Sequence, residues 1–143
     1  MQREVRRVLE VHPGRSWVGV RNGRWVFEAP PNHAAVPVAH AATWLLPLVE
    51  HSRGQVEAQA RARLEPDDPH FTEVVDAVIG KGLTAWSDHW IFHTLNWLTA
   101  EDVVRFADQL LQIATASAAA GQRTRDLAER LLQDQGLWPS TAR

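Results

Sequence analysis

The chain has 143 residues, a formal net charge of −2, seven Trp, no Tyr and no Cys. That length suits a single domain able to bury about two thirds of its unfolded surface without a disulfide or structural metal. The missing Cys excludes disulfide frameworks, thiol catalysis and cysteine-ligated zinc, and the net charge is far from the basic excess of a typical nucleic-acid-binding domain.

The charge is nonetheless uneven. Residues 1–32 carry six Arg against three acids, and the rest holds nine basic against fourteen acidic groups, which together give −2. The start, Met1-Gln2-Arg3-Glu4-Val5-Arg6-Arg7, is charged and opens no apolar signal-type core. The longest mostly apolar stretch, Val36 to Val49, is interrupted by His40, Thr43 and two prolines and falls short of the roughly 20 residues of a membrane span. A cytoplasmic protein with no membrane partner is the expectation.

The first element, about 4 to 12, is expected to be a strand, although Val5, Val8, Leu9 and His12 also fit helical spacing. Pro13-Gly14 then turns the chain. Asn22-Gly23 between two alternating runs favours a two-residue type I′ hairpin, with Arg21 opposite Arg24, Val20 opposite Trp25 and Val18 opposite Phe27. The last two pairs face the core, while Arg21, Arg24, Gly19 and Val26 share the other face. Residues 4–29 thus predict an antiparallel hairpin or three-stranded meander.

After the loop Ala29-Pro30-Pro31-Asn32-His33, residues 37–135 predict a bundle of four to six helices. The first, about 37 to 52, is kinked or split at Pro47, and a second covers about 54 to 64. Asp68-Pro69 resembles a cap and first helical residue, opening a helix through Phe71, Val74, Val75, Val78 and Ile79 that stops at Gly80 or Gly82. Ser87 or Thr84 caps the next helix, and Thr99 with Asp102 forms a capping box for a helix through Val103, Ala107, Leu110 and Ala114. The last helix, about 121 to 135, turns Leu127, Leu131 and Leu132 inward and closes at Gly136-Leu137 in a Schellman motif. The expected fold is therefore α+β: a β-rich part (1–32) packed on a helical part (33–137), with a loose tail (138–143), in one domain.

Function concentrates around residues 86–97. On a continuous helix Trp86, Trp90, His93 and Trp97 fall within roughly 60°, with Ile91, Leu95 and Leu98 on a second arc. One side can face a core while the other meets a partner, either another protein or a second copy of this chain. Trp and Arg are enriched in interface hot spots, and seven Trp exceed what a core of this size requires. The plainer alternative makes all four residues ordinary core, and burial decides between them. This pattern points to a non-enzymatic module without cofactor: an inhibitor, an immunity-type protein or a regulatory factor docking on a larger protein or transcription complex.

Two other readings use different residues. Arg21, Arg24 and Trp17 could carry nucleic acid, although alternation turns Trp25 and Phe27 to the opposite face. His89 and His93, four apart on a helix, can offer two imidazoles to one metal, with His51, His40 or Asp88 as a third ligand, in a metalloprotein or metal-dependent enzyme. Trp90 stands where an HExxH motif has its Glu, so that motif is not satisfied, and histidines hydrogen-bonded beside a core give the same pattern. No Gly-x-Ser-x-Gly occurs, and Gly80-Lys81-Gly82 lacks P-loop spacing and resembles a helix end.

Overall fold

The computed structural model describes residues 4–30 and 33–139. Pro31 and Asn32 of the expected loop, and the expected tail from residue 140 onward, lie outside them. The fold is α+β, with an antiparallel sheet at the N-terminus followed by helices. The sheet holds β1 (Arg6–His12), β2 (Ser16–Arg21), β3 (Arg24–Ala29) and β4 (His33–Pro37) in the order β1-β2-β3-β4. The chain divides into two compact units, Met1–Val78 and Ile79–Arg143.

In the first unit the hairpin register is the expected one: Arg21 pairs with Arg24, Val20 with Trp25 and Val18 with Phe27. Asn22 (φ +54°) and Gly23 (φ +72°) are both left-handed, as a type I′ turn demands. Gly23→Ala is expected to cost about 1–2 kcal/mol through its left-handed backbone, seen as a lower urea midpoint with unchanged slope. β1 is a strand, and two register shifts, between Arg7 and Leu9 and between Glu10 and His12, interrupt its alternation. They explain why adjacent Val8 and Leu9 are both buried, and why the sequence mimics helical spacing there.

The meander gains a fourth strand where a loop and helix start were expected. The segment His33-Ala-Ala-Val-Pro37 is too short and uniform to show a period, and its strand character comes from pairing with β3 through Phe27–Val36 and Val26–Pro37. Pro37 is tolerated because β4 is an edge strand and the proline ends it.

Leu9, Val18 and Phe27 form a buried cross-strand row. Helical segments pack on β1: the 3-10 helix Ala42–Glu50, with Leu45, Leu46, Leu48 and Val49 buried, and α1 (Arg53–Arg61), with Val56 and Ala60 buried. The α-helix expected over 37–52 is replaced by 3-10 winding, Val38–His40 and then Ala42–Glu50. Pro47 has no N–H for Thr43 and its ring crowds an α-turn, which favours the tighter i→i+3 pattern. α1 begins at a capping box in which Ser52 and Gln55 satisfy each other's backbone N–H.

α2 (Thr72–Leu83) starts four residues after Asp68, so Asp68 is not its cap. Its carboxylate has other partners: the Glu65 N–H donates to Oδ2 at 2.8 Å, and the Arg6 guanidinium of β1 pairs with Oδ1. Burial pushes this carboxyl up, but the Arg6 hydrogen bond and charge with the Glu65 amide outweigh it and hold it below the usual range. The following turn is fixed by Trp25, whose indole N–H donates to the His70 carbonyl at 3.0 Å while its ring meets Phe71 edge-on at 5.6 Å.

The second unit contains the end of α2 and the helices α3 (Asp88–Leu95), α4 (Ala100–Arg105), α5 (Ala107–Thr115) and α6 (Gln122–Asp134). α2 does not stop at Gly80 or Gly82. Gly82 lies inside it because a Cβ there would overlap the Thr94 hydroxyl of α3 and sit 2.8 Å from Thr94 Cβ. The expected Thr99–Asp102 capping box is present, but the helix it opens breaks at Phe106 (φ −107°, ψ 23°) into α4 and α5. Val103, Val104 and Phe106 carry low helix propensity for this stretch, and the break falls at their end. Ile91, Leu95, Leu110, Ile113, Ala128 and Leu132 are all buried, and α6 packs on α3, α4 and α5. Thr124, Ala128 and Leu132 form the buried stripe of α6, with Leu127 and Leu131 half-buried beside it. Its end is the Schellman motif: Leu137 N–H donates to Leu132 O (2.8 Å), Gly136 N–H donates to Gln133 O (3.0 Å), and Gly136 is left-handed.

Candidate partner-binding site

α3 is only eight residues long, so the expected continuous stripe from 86 to 97 does not form. Ser87 is the N-cap, its hydroxyl accepting from the Trp90 N–H at 3.4 Å, and Asn96 is the C-cap. Trp86 and Trp97 therefore lie outside the helix, on opposite ends. Their surroundings differ sharply, since Trp86 is 63% exposed and Trp97 only 3%. Trp97 is a core residue, and burial takes it out of the partner-binding set.

Within α3, Ile91, Thr94 and Leu95 occupy one arc of about 100° and are all buried. The facing arc carries Trp90, His93, His89 and Phe92, with His89 exposed and the other three half-buried. The arc expected to face the core does so through Ile91 and Leu95, whereas Leu98 falls beyond the helix and is half-buried. The outer arc is a connected set of rings. His89 lies edge-on to Trp90 at 4.8 Å between centroids and tilted against His93 at 4.6 Å, and His93 meets Phe92 edge-on at 5.7 Å. The Arg123 guanidinium of α6 covers Phe92, 3.8 Å from its ring centroid.

Asp88, the first residue of α3, anchors this surface. Its Oδ1 accepts from the Gly121 N–H at 2.7 Å and from the buried Thr124 hydroxyl at 2.5 Å, tying the start of α3 to the start of α6. Those two hydrogen bonds, with the charges of Arg123 and His89, hold the carboxyl below its usual range against the opposing effect of burial. The outer arc is thus presented on a helix fixed at its N-terminus.

The histidine pair brings two imidazoles together, but among the described residues no group of three His, Asp or Glu side chains is placed to hold a metal ion. Asp88 is committed to the Gly121 N–H and the Thr124 hydroxyl at the start of α6. Trp17, Arg21 and Arg24 share one face of the β2–β3 hairpin, with Trp25 and Phe27 buried on the other. Trp17 is already covered, because the Arg7 guanidinium stacks 3.6 Å from its ring centroid while donating to Glu28 at 2.8 Å. A base has no free platform on that side of the indole.

Sequence reading missed Phe92 and Arg123, and gave Asp88 only a metal-ligand role. Phe92 was visible as an aromatic on the outer arc, whereas Arg123 and the Asp88–Thr124 bond join residues more than thirty positions apart and leave no local signal. No protein-family model, curated protein or solved structure matches this chain. No helix among the described residues is long and apolar enough to cross a membrane.

Proposed function

We propose that this chain is a non-enzymatic, cytoplasmic binding protein that docks on another protein through Trp86 and the outer arc of α3, as an inhibitor, an immunity-type protein or a regulatory factor does. The observation that supports this is Trp86: a large apolar ring 63% exposed, next to a helix whose outward arc is aromatic over Trp90, His93, His89 and Phe92. Trp rings give large contact area at small entropy cost, which is why they dominate interface hot spots. The Asp88 anchor favours binding further, since a surface already ordered loses little freedom on association.

The proposal is tested by affinity capture with the native chain and with Trp86→Ala and Trp90→Ala, the captured protein then being purified and its affinity measured. A specific partner that binds the native chain at least about 30-fold more tightly than Trp86→Ala, a difference of about 2 kcal/mol, supports the assignment. Trp86→Ala is expected to change folding stability by no more than about 0.5 kcal/mol, because its side chain is mostly solvated. Equal affinity of native and both variants for every purified partner removes this surface from the function. Sedimentation of the chain alone separates a second copy from a different protein as the occupant.

A further inference from the structure

The face of the sheet that carries Arg21 holds a cleft of about 690 Å³, walled by Val5 and Arg7 from the β1 side, Arg21 and Glu28 from the hairpin, and Ala34 and Ala35 of β4. Its two guanidinium groups are in different states. Arg7 is paired with Glu28 at 2.8 Å and lies over the Trp17 ring, so its charge is already partnered. Arg21 is half-buried and its guanidinium makes no hydrogen bond or ion pair with a described residue, and the same holds for the guanidinium of exposed Arg24, its partner directly across the type I′ turn. Like charges directly opposite on paired strands are unfavourable, and neither guanidinium has a carboxylate of a described residue within ion-pair distance. A half-buried cation facing a cleft beside a second cation is the arrangement an anion relieves, and guanidinium matches the planar geometry of an oxyanion.

We propose that this cleft binds a small molecule through one terminal oxyanion, phosphate or carboxylate, held by Arg21, whose cross-strand neighbour Arg24 adds positive charge beside it. A polyanion fits poorly. Glu28 and Glu4 also line the cleft and would repel successive phosphates, and the β4 wall limits its extent. The ligand is therefore compact and carries its charge at one end, with the Arg7–Glu28 pair leaving a polar, neutral wall for the remainder.

The test is a titration of isotope-labelled protein with inorganic phosphate, and separately with acetate, at constant ionic strength, following the Arg Nε–Hε resonances by NMR. A saturable shift of the Arg21 Nε–Hε, accompanied in the native chain by saturable backbone-amide shifts at Asn22 and Gly23 that weaken in Arg21→Lys and vanish in Arg21→Gln, supports the site. The responding anion then tells phosphate from carboxylate. Without ligand, Arg21→Gln is expected to melt at the same or a higher temperature than the native chain, because the like-charge pair is gone, and added anion should raise the melting temperature of the native chain only. The proposal fails if Arg21 drifts without saturating, if Arg21→Gln responds like the native chain, or if Arg21→Gln melts lower. It also fails if a single-stranded oligonucleotide binds this face with a salt dependence reporting several released counterions, which assigns the face to nucleic acid.

Discussion

Gly82→Ala is expected to destabilise the protein by about 1–3 kcal/mol, while Gly80→Ala, two residues earlier in the same helix, is expected to stabilise it by about 0.5–1 kcal/mol. Helix propensity alone gives both substitutions the favourable sign, because Ala costs less backbone entropy than Gly. Packing reverses it at one position. A Cβ at Gly80 meets nothing within 4 Å, whereas a Cβ at Gly82 overlaps the Thr94 hydroxyl and lies 2.8 Å from Thr94 Cβ. Thr94 has no room to yield, since it is 0% exposed and its hydroxyl donates to the Trp90 carbonyl at 2.7 Å. Urea unfolding of the four proteins in a Gly82→Ala and Thr94→Gly cycle separates contact from propensity. The cost of Gly82→Ala should shrink or vanish when Thr94 is already Gly. A Gly82→Ala protein as stable as the native one would show that α2 and α3 do not approach so closely.

That pair of glycines also shows what the sequence could and could not disclose. Local chemistry was legible: Asn22-Gly23 fixed a hairpin register down to the pairs, Thr99 with Asp102 announced a capping box, and Gly136-Leu137 a Schellman end. Each is decided by neighbours within a few positions. Gly82 looked like a helix stop, as an isolated Gly usually does, because the residue that explains it, Thr94, lies on another helix. Asp68 looked like a cap for the same kind of reason. Its choice of the Glu65 amide and Arg6 depends on a strand sixty residues away, and the helix started at Thr72 instead. β4 went unread because an edge strand takes its conformation from β3 rather than from a period of its own.

The aromatic stripe was half legible. Spacing placed Trp90 and His93 together correctly, and Ser87 as a cap detached Trp86 from the helix. Nothing in the spacing could say that α3 ends at Leu95, which puts Trp97 past the C-cap and into the core. Periodicity assigns faces only as far as a helix runs, and the short α3 leaves two tryptophans that a wheel places side by side with opposite exposures.

Asp88→Ala should cost roughly 2–4 kcal/mol at neutral pH, and that cost should fall as the solution is acidified. α6 opens at Gly121, which has no side-chain oxygen to cap it, and the deficit is met by the carboxylate of Asp88 through the Gly121 N–H and the buried Thr124 hydroxyl. Removing the carboxylate leaves that hydroxyl, 0% exposed, without its partner, which is more costly than never having had the pair. Thr124→Val should therefore cost less than Asp88→Ala, because it removes the hydroxyl and preserves the shape while Asp88 keeps the amide. The pH dependence follows from the direction of the shift. The folded-state pKa of Asp88 is lowered, chiefly by the Thr124 hydrogen bond, so the folded protein binds this proton less readily than the unfolded chain. The stabilisation is complete above the unfolded value of about 4 and is lost as pH falls toward and through the folded one. Asp88→Asn, a neutral isostere, should be less stable than the native protein at pH 7 and approach it in acid. Urea unfolding of the three proteins across that range decides the matter. A native-minus-Asn difference that stays constant down to the lowest pH would mean that the charge on Asp88 does not hold α3 to α6, and the fixed presentation of the outer aromatic arc would lose its anchor.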